Sequence, residues 1–223
     1  KWIGGHGNSI GGIIVDGGNF DWAKFPKRQP LYNTPDPSYW GWKLAEVVPA
    51  ALGANITFAV RCRFVLLRDF GASLSPTNAF NIIQGLETLP LRFQKHQDNA
   101  KEVANFLKNH DAISKVIYPG FHKGEDENRV NKYLKSGNGP LVGFELKNGE
   151  EAGKTFIDNL KLLYHVANIG DARSLAIHPS STTHSQLSSE DQLRSGVTPG
   201  YIRLSVGIEN IEDILNDIDQ ALE

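Results

Sequence analysis

Short strand-like runs alternate with helix-like segments from residue 111 to the end of the chain, and this alternation constrains the fold most. The runs DAISKVIYPG and GPLVGFELKNG are rich in β-branched and apolar residues and end in turn signals, which predicts strands. EEAGKTFIDNL has apolar residues spaced by four, which predicts a helix. Further strands are predicted in LLYHVANIG, SLAIHP and YIRLSVGIE, followed by an amphipathic closing helix. The pattern predicts an α+β fold for this part.

The first part of the chain has a different pattern. The run Gly11–Val15 is short and β-branched, and it predicts a buried strand. Residues 16–42 carry several prolines among polar and aromatic residues, which predicts loop, whereas residues 45–67 favour helix. We expect a domain boundary near Phe80, so that the two domains cover residues 1–80 and 81–223.

Composition excludes several classes of protein. The net charge of -2 gives no electrostatic reason to expect nucleic acid or an acidic membrane as a partner. Cys62 is the only cysteine, which excludes an intrachain disulfide and a multi-cysteine metal site and favours a cytoplasmic location. We therefore expect no metal. The sequence has no methionine, so we expect it to be part of a longer chain.

The stretch KWIGGHGNSIGG combines a lysine with five glycines. It fails the dinucleotide-binding pattern because Ile10 stands where a third glycine is required, and it fails the phosphate-loop pattern because Ile13 replaces the lysine. Glycines let backbone approach a bulky group closely. The amine of Lys1, held in a partly dry site, would form a Schiff base with a carbonyl cofactor. A solvated lysine beside an ordinary turn is the alternative.

Three other places have candidate binding residues. In YIRLSVGIE, strand alternation puts Arg203 on the face opposite Ile202 and Leu204, where its guanidinium suits a carboxylate; a surface ion pair fits equally well. Ser174 lies in GDARSLAIHPSSTTH and either lines a pocket or caps a turn. The aromatic residues of SYWGW form either a lid over a site or a packed corner of the fold; they are Tyr39, Trp40 and Trp42.

Four segments together carry a resemblance over essentially the whole chain: KWIGGHGNSIGGIIVD, GLETLPLRFQKH, NIGDARSLAIHPSSTTH and YIRLSVGIENIEDILNDI. They resemble the carboxy-terminal half of the Cys/Met-metabolism family of pyridoxal-phosphate (PLP) enzymes. The family lysine lies in a Ser-x-Thr-Lys-[Tyr/Trp]-x-x-Gly-His context, and this sequence matches that context from Lys1 onward. The resemblance therefore implies that PLP is the cofactor and that Lys1 is the catalytic residue that holds it.

The resemblance also implies roles for the other candidates. Arg203 matches the arginine that binds the substrate carboxylate, and Ser174 matches the serine beside it. Tyr39 and Trp40 fall in a possible lid. The implied reaction is replacement of the γ-substituent of O-acetyl-L-homoserine by sulfide, giving homocysteine and acetate. The alternatives are a carbon or nitrogen nucleophile at the same carbon, or a catalytically silent structural half.

The implied fold is the α/β PLP-dependent transferase fold, similar to that of aspartate aminotransferase. Residues 1–80 would be the end of the large PLP-binding domain, and residues 81–223 the smaller carboxy-terminal domain with an antiparallel sheet. The resemblance further implies that an amino-terminal half supplies the groups that bind the phosphate, the pyridine nitrogen and the ring. It implies a tetramer built from dimers, with a small amino acid as substrate.

Overall fold

The computed structural model describes residues 1–223, which form two compact units. One unit consists of Lys1–Ser9 and Phe80–Glu223, and the other of Ile10–Ala79. The helices are α1 (Pro30–Asn33), α2 (Leu44–Leu52), α3 (Thr57–Arg61), α4 (Pro76–Glu87), α5 (Leu89–Lys108), α6 (Glu125–Tyr133), α7 (Gly149–Asn159), α8 (Ser189–Arg194) and α9 (Ile211–Leu222). The strands are β1 (Ile113–Ile117), β2 (Leu141–Leu146), β3 (Tyr164–His165), β4 (Leu175–Ile177) and β5 (Tyr201–Ser205).

The five strands form one sheet in the order β1-β2-β5-β4-β3. Every predicted strand after residue 111 is present, although the strand predicted in LLYHVANIG is only two residues long. The pairs β1–β2, β2–β5 and β4–β5 are antiparallel, as expected, but β3 pairs with β4 in parallel. The loop of residues 166–174 returns the chain to the end of the sheet where β3 began, so β4 runs parallel to β3. The sheet is therefore mixed.

Helices cover one face of this sheet. The apolar residues of β2 and β5 that face them, Val142, Phe144, Ile202 and Leu204, are fully buried. They pack in one core with residues of α5, α7 and α9. Burial of this apolar surface stabilises the unit. The opposite face carries Arg203, as strand alternation predicts.

The Ile10–Ala79 unit is mostly loop and helix. The helix expected over residues 45–67 is present as α2, α3 and a π-helical segment, Cys62–Asp69. No single helix of the chain is long and apolar enough to cross a membrane. Two segments, Leu44–Leu52 and Thr57–Asp69, pass that test of length and composition only as a pair, with a bend of 109° between them.

The buried strand predicted at Gly11–Val15 is wrong. These residues form no strand, and the side chains of Ile13, Ile14 and Val15 are 79%, 67% and 83% exposed. β-Branched residues favour extended backbone, but a strand also needs a hydrogen-bonded neighbour. The unit offers only an isolated bridge between Asp36 and Trp42, so the run stays unpaired.

Candidate active site

Lys1 begins a tight turn in the larger unit. The amide of Gly5 donates to the Lys1 carbonyl oxygen at 2.9 Å, and the Gly5 carbonyl accepts from the amide of Ala172 at 2.8 Å. Gly5 has a φ of +73°, a conformation that favours glycine. The turn is thereby closed on itself and joined to the loop that precedes β4.

The glycines of this turn are explained by packing within the chain. A Cβ at Gly5 would overlap the guanidinium of Arg92, and one at Gly7 would lie 2.6 Å from the Oδ2 of Asp171. Gly85 on α4 has no room for a Cβ because the Gly4 carbonyl lies against it. The close approach that the glycine-rich stretch predicts is therefore an approach to neighbouring side chains and to α4.

The loop of residues 167–170 lies against the Lys1 turn. A Cβ on Gly170, whose φ is +81°, would lie 2.8 Å from the Trp2 nitrogen and 3.1 Å from the Lys1 carbonyl carbon. The Gly170 amide donates to the Oγ of Ser205 at 3.1 Å. This loop therefore joins the Lys1 turn to β5.

Arg203 on β5 contacts the same loop. Its Nη2 donates to the carbonyl oxygens of Ala167 at 2.9 Å and Asn168 at 3.4 Å. Its Nε is buried and has no hydrogen-bond partner in the chain. A buried donor without an acceptor costs about 1–3 kcal/mol. The arrangement therefore leaves one donor of Arg203 for an acceptor that the chain does not supply.

Ser174 is fully buried beside this loop. Its hydroxyl donates to the Oε2 of Glu209 at 2.9 Å and accepts from the Gly207 amide at 2.8 Å, while its own amide donates to the Oε1 of Glu209 at 2.6 Å. The hydroxyl proton is therefore already used within the chain. Its contact with substrate stays a prediction.

Arg173 and Asp171 lie at the end of the same loop, just before β4. Burial alone would raise the pKa of the Asp171 carboxyl, but hydrogen bonds and the charge of Arg173 outweigh it and lower that pKa. The Arg173 Nη2 lies 3.2 Å from the Asp171 Oδ2. The guanidinium also lies 5.0 Å from the centre of the Tyr164 ring. This pair fixes the backbone between Gly170 and β4.

The predicted lid residues differ in their environment within the Ile10–Ala79 unit. Tyr39 is buried, and its hydroxyl donates to the Phe64 carbonyl at 2.7 Å. Trp40 is 80% exposed and has a φ of +56°, which is unusual for a residue other than glycine. Its ring packs against Trp42 with the centroids 5.0 Å apart. The lid role of both residues stays a prediction.

Sequence reasoning missed a row of buried polar side chains on α5. Arg92, His96 and Asn99 lie at i, i+4 and i+7, on the helical stripe that continues with Val103. Polar residues at core positions of an amphipathic helix were the available signal. Each donates or binds to backbone outside α5, so the row orders the segments around the site.

The backbone of the Lys1 turn and the guanidinium of Arg203 both contact the loop of residues 167–170. A primary amine and a guanidinium are groups that an enzyme uses to hold a carbonyl compound and a carboxylate. The chain belongs to the Cys/Met metabolism PLP-dependent enzyme family, whose model matches residues 1–223. It is 51% identical over its whole length to an O-acetyl-L-homoserine sulfhydrylase of Leptospira meyeri and 44% identical to a homocysteine synthase of Schizosaccharomyces pombe. It covers 51% of each of these relatives.

A crystal structure supports the same family. The protein, assigned as an O-acetylhomoserine (thiol)-lyase of Campylobacter jejuni, carries N'-pyridoxyl-lysine-5'-monophosphate. This chain is 41% identical to it, with a TM-score of 0.85 over 100% of this chain and 52% of that one. The fold is therefore the α/β fold of these PLP-dependent enzymes, and PLP is the cofactor of the family. The chain spans about half the length of the curated relatives it matches.

The buried His96 makes the site region sensitive to acid. Its Nδ1 lies 2.6 Å from the Val206 carbonyl oxygen, and its Nε2 is buried without a partner. Burial lowers the pKa of His96 below its ordinary value of 6.5 and outweighs the hydrogen bond with the Val206 carbonyl, which raises that pKa. The unfolded chain therefore takes up a proton first as the pH falls.

We predict that the free energy of unfolding falls as the pH drops below about 6.5, by at most about 1.4 kcal/mol per pH unit from this residue. Above that pH the contribution is fully present. His96→Gln should reduce the difference between urea midpoints measured near neutral and mildly acidic pH. The exposed His165→Gln is the control. An unchanged difference in His96→Gln would show that His96 does not carry this dependence.

Proposed function

We propose that this chain supplies the lysine and the carboxylate-binding part of an enzyme that replaces the acetoxy group of O-acetyl-L-homoserine by sulfide. The Cγ–O bond breaks, acetate leaves with the electron pair, and sulfide forms the Cγ–S bond of homocysteine. The observation that carries the proposal is the contact of the Lys1 turn and Arg203 with one loop, residues 167–170. The names of the relatives support the substrate and the nucleophile.

The residues present fit PLP and an amino-acid substrate. Lys1 offers the primary amine that a pyridoxal aldehyde requires. Arg203 offers a buried Nε that has no acceptor in the chain, which suits a carboxylate oxygen. PLP, when bound, supplies an electron sink for negative charge at the substrate Cα. This chain would therefore hold the cofactor through Lys1 and the substrate through Arg203.

Each residue has a defined task in this proposal. Arg203 orients the substrate by its carboxylate, with its Nη2 fixed on Ala167 and Asn168. The Lys1 amine, once free, accepts the proton from Cα and returns protons to the substrate carbon chain. Ser174 would touch the same carboxylate, as the resemblance implies. Tyr39 and Trp40 would cover the site.

The wider organisation is part of the proposal. Residues 1–80 would end the large PLP-binding domain, and residues 81–223 would form the smaller domain. The rest of the protein would bind the phosphate, the pyridine nitrogen and the ring of PLP, which agrees with the half-length coverage of the relatives. We further propose a cytoplasmic tetramer built from dimers that serves methionine and cysteine biosynthesis.

Product identity tests the proposed reaction. The full-length protein that contains this chain, incubated with PLP, O-acetyl-L-homoserine and sulfide, should form homocysteine and acetate in equal amounts by mass spectrometry. Lys1→Ala should abolish product and the visible absorbance of bound PLP, because no amine remains to hold the aldehyde. The exposed Lys24→Ala is the control. Product formation by Lys1→Ala, or no homocysteine from the unaltered protein, would contradict the proposal.

Arg203→Ala tests the carboxylate contact separately. Loss of a charge-assisted hydrogen bond costs about 1.5–3 kcal/mol, so KM for the amino acid should rise roughly 10- to 100-fold. The visible absorbance of bound PLP should persist, because Lys1 is intact. Arg129→Ala removes an exposed arginine of α6 and serves as the matched control. An unchanged KM in Arg203→Ala would show that the carboxylate binds elsewhere.

A further inference from the structure

Arg92 is a buried cation whose hydrogen bonds go to neutral oxygens. Its Nη1 donates to the Trp2 carbonyl at 3.2 Å, and its Nη2 donates to the carbonyls of Ile3 at 3.1 Å and Gly85 at 2.6 Å. Its Nε donates to the Thr88 hydroxyl at 3.2 Å. The guanidinium fork therefore joins α4 and α5 to the two residues that directly follow Lys1.

The burial of the Arg92 guanidinium has a free-energy cost. Burial lowers the pKa of the Arg92 guanidinium, because the charged form loses its hydration. Burying a cation is costly unless its donors are satisfied, and an apolar side chain would fill the space without that cost. A planar fork with several fixed donors does what an apolar side chain cannot, since it sets the direction of two consecutive peptide groups.

The side chain of Trp2 is held by the same helix. Its ring meets Phe93 edge-on with centroids 5.9 Å apart, and it meets His96 in the same manner at 5.2 Å. Aromatic pairs in this geometry attract each other beyond the area that they bury. One turn of α5 therefore fixes both the backbone and the side chain of the residue next to Lys1.

The next turns of α5 hold the end of β5. The His96 Nδ1 lies 2.6 Å from the Val206 carbonyl, and the Asn99 Nδ2 donates to the carbonyls of Gly207 at 3.0 Å and Glu209 at 2.9 Å. These residues directly follow the strand that carries Arg203. One face of one helix therefore fixes the chain next to both proposed site residues.

From these contacts we propose that Arg92 is a positioning residue, which directs the Lys1 amine by holding the Trp2 and Ile3 carbonyls. This inference rests on the proposed function, in which Lys1 holds PLP. Arg92 touches neither cofactor nor substrate in this role. Its replacement should therefore affect PLP binding and the proton transfers of Lys1, while Arg203 continues to bind the substrate carboxylate.

The test uses the full-length protein with Arg92→Lys, which keeps the charge but loses the fork. The PLP dissociation constant should rise at least about tenfold, and the pH at which the visible band of bound PLP changes should shift. kcat should fall, on the order of 100-fold for a misplaced reacting group, with KM for O-acetyl-L-homoserine little changed. Arg129→Lys is the matched control. Unchanged PLP affinity and an unchanged pH profile in Arg92→Lys would overturn the proposal.

Two further variants keep the outcomes distinct. If Arg92→Lys does not fold, Thr88→Val removes only the Nε anchor and should change PLP affinity in the same direction by a smaller factor; no change would overturn the proposal.

Lys1→Ala separates the positioning role of Arg92 from the proposed function. If borohydride still fixes PLP to Lys1→Ala, the proposed function fails; if it does not and the Arg92 variants match the unaltered protein, only the positioning role fails.

Discussion

The contact between the Arg92 guanidinium and the two carbonyls after Lys1 is the interaction on which the proposed site depends. It is one end of the buried polar row formed by Arg92, His96 and Asn99 on α5. Each member binds backbone carbonyls of a segment that has no regular structure to fix it. Buried polar groups are costly when unpaired, so the hydrogen bonds that this row makes favour a single arrangement of those segments. The Lys1 turn and the end of β5 are thereby fixed by one helix.

Local patterns predicted most of the larger unit. Apolar residues at a spacing of two or of about four placed β1, β2, β5, α7 and α9, because each buries one face against the same core. The strand prediction for Gly11–Val15 was wrong because strand formation depends on a partner strand, which no local pattern can show. The parallel pairing of β3 with β4 was also missed, since the direction of a short strand is set by the path of its loop.

The candidate site was likewise predictable from the sequence only in part. Lys1 and Arg203 were proposed as site residues through motifs, and the face of Arg203 follows from strand alternation alone. The burial of the Ser174 hydroxyl against Glu209 was not predictable, because the two residues meet through a loop. The sequence contained the polar row of α5 at helical spacing. The role of this row could not be predicted from the sequence, because only the tertiary structure shows that the row faces the Lys1 turn.

Hydrogen exchange at the Gly5 amide measures whether Arg92 holds the Lys1 turn in place. This amide donates to the Lys1 carbonyl at 2.9 Å and reports whether the turn is closed. In the full-length protein we expect the Gly5 amide to be protected, and we expect it to exchange faster in Arg92→Lys, with the core strand β2 equally protected in both. Equal protection of Gly5 in the two proteins would contradict the claim that Arg92 holds the turn in place.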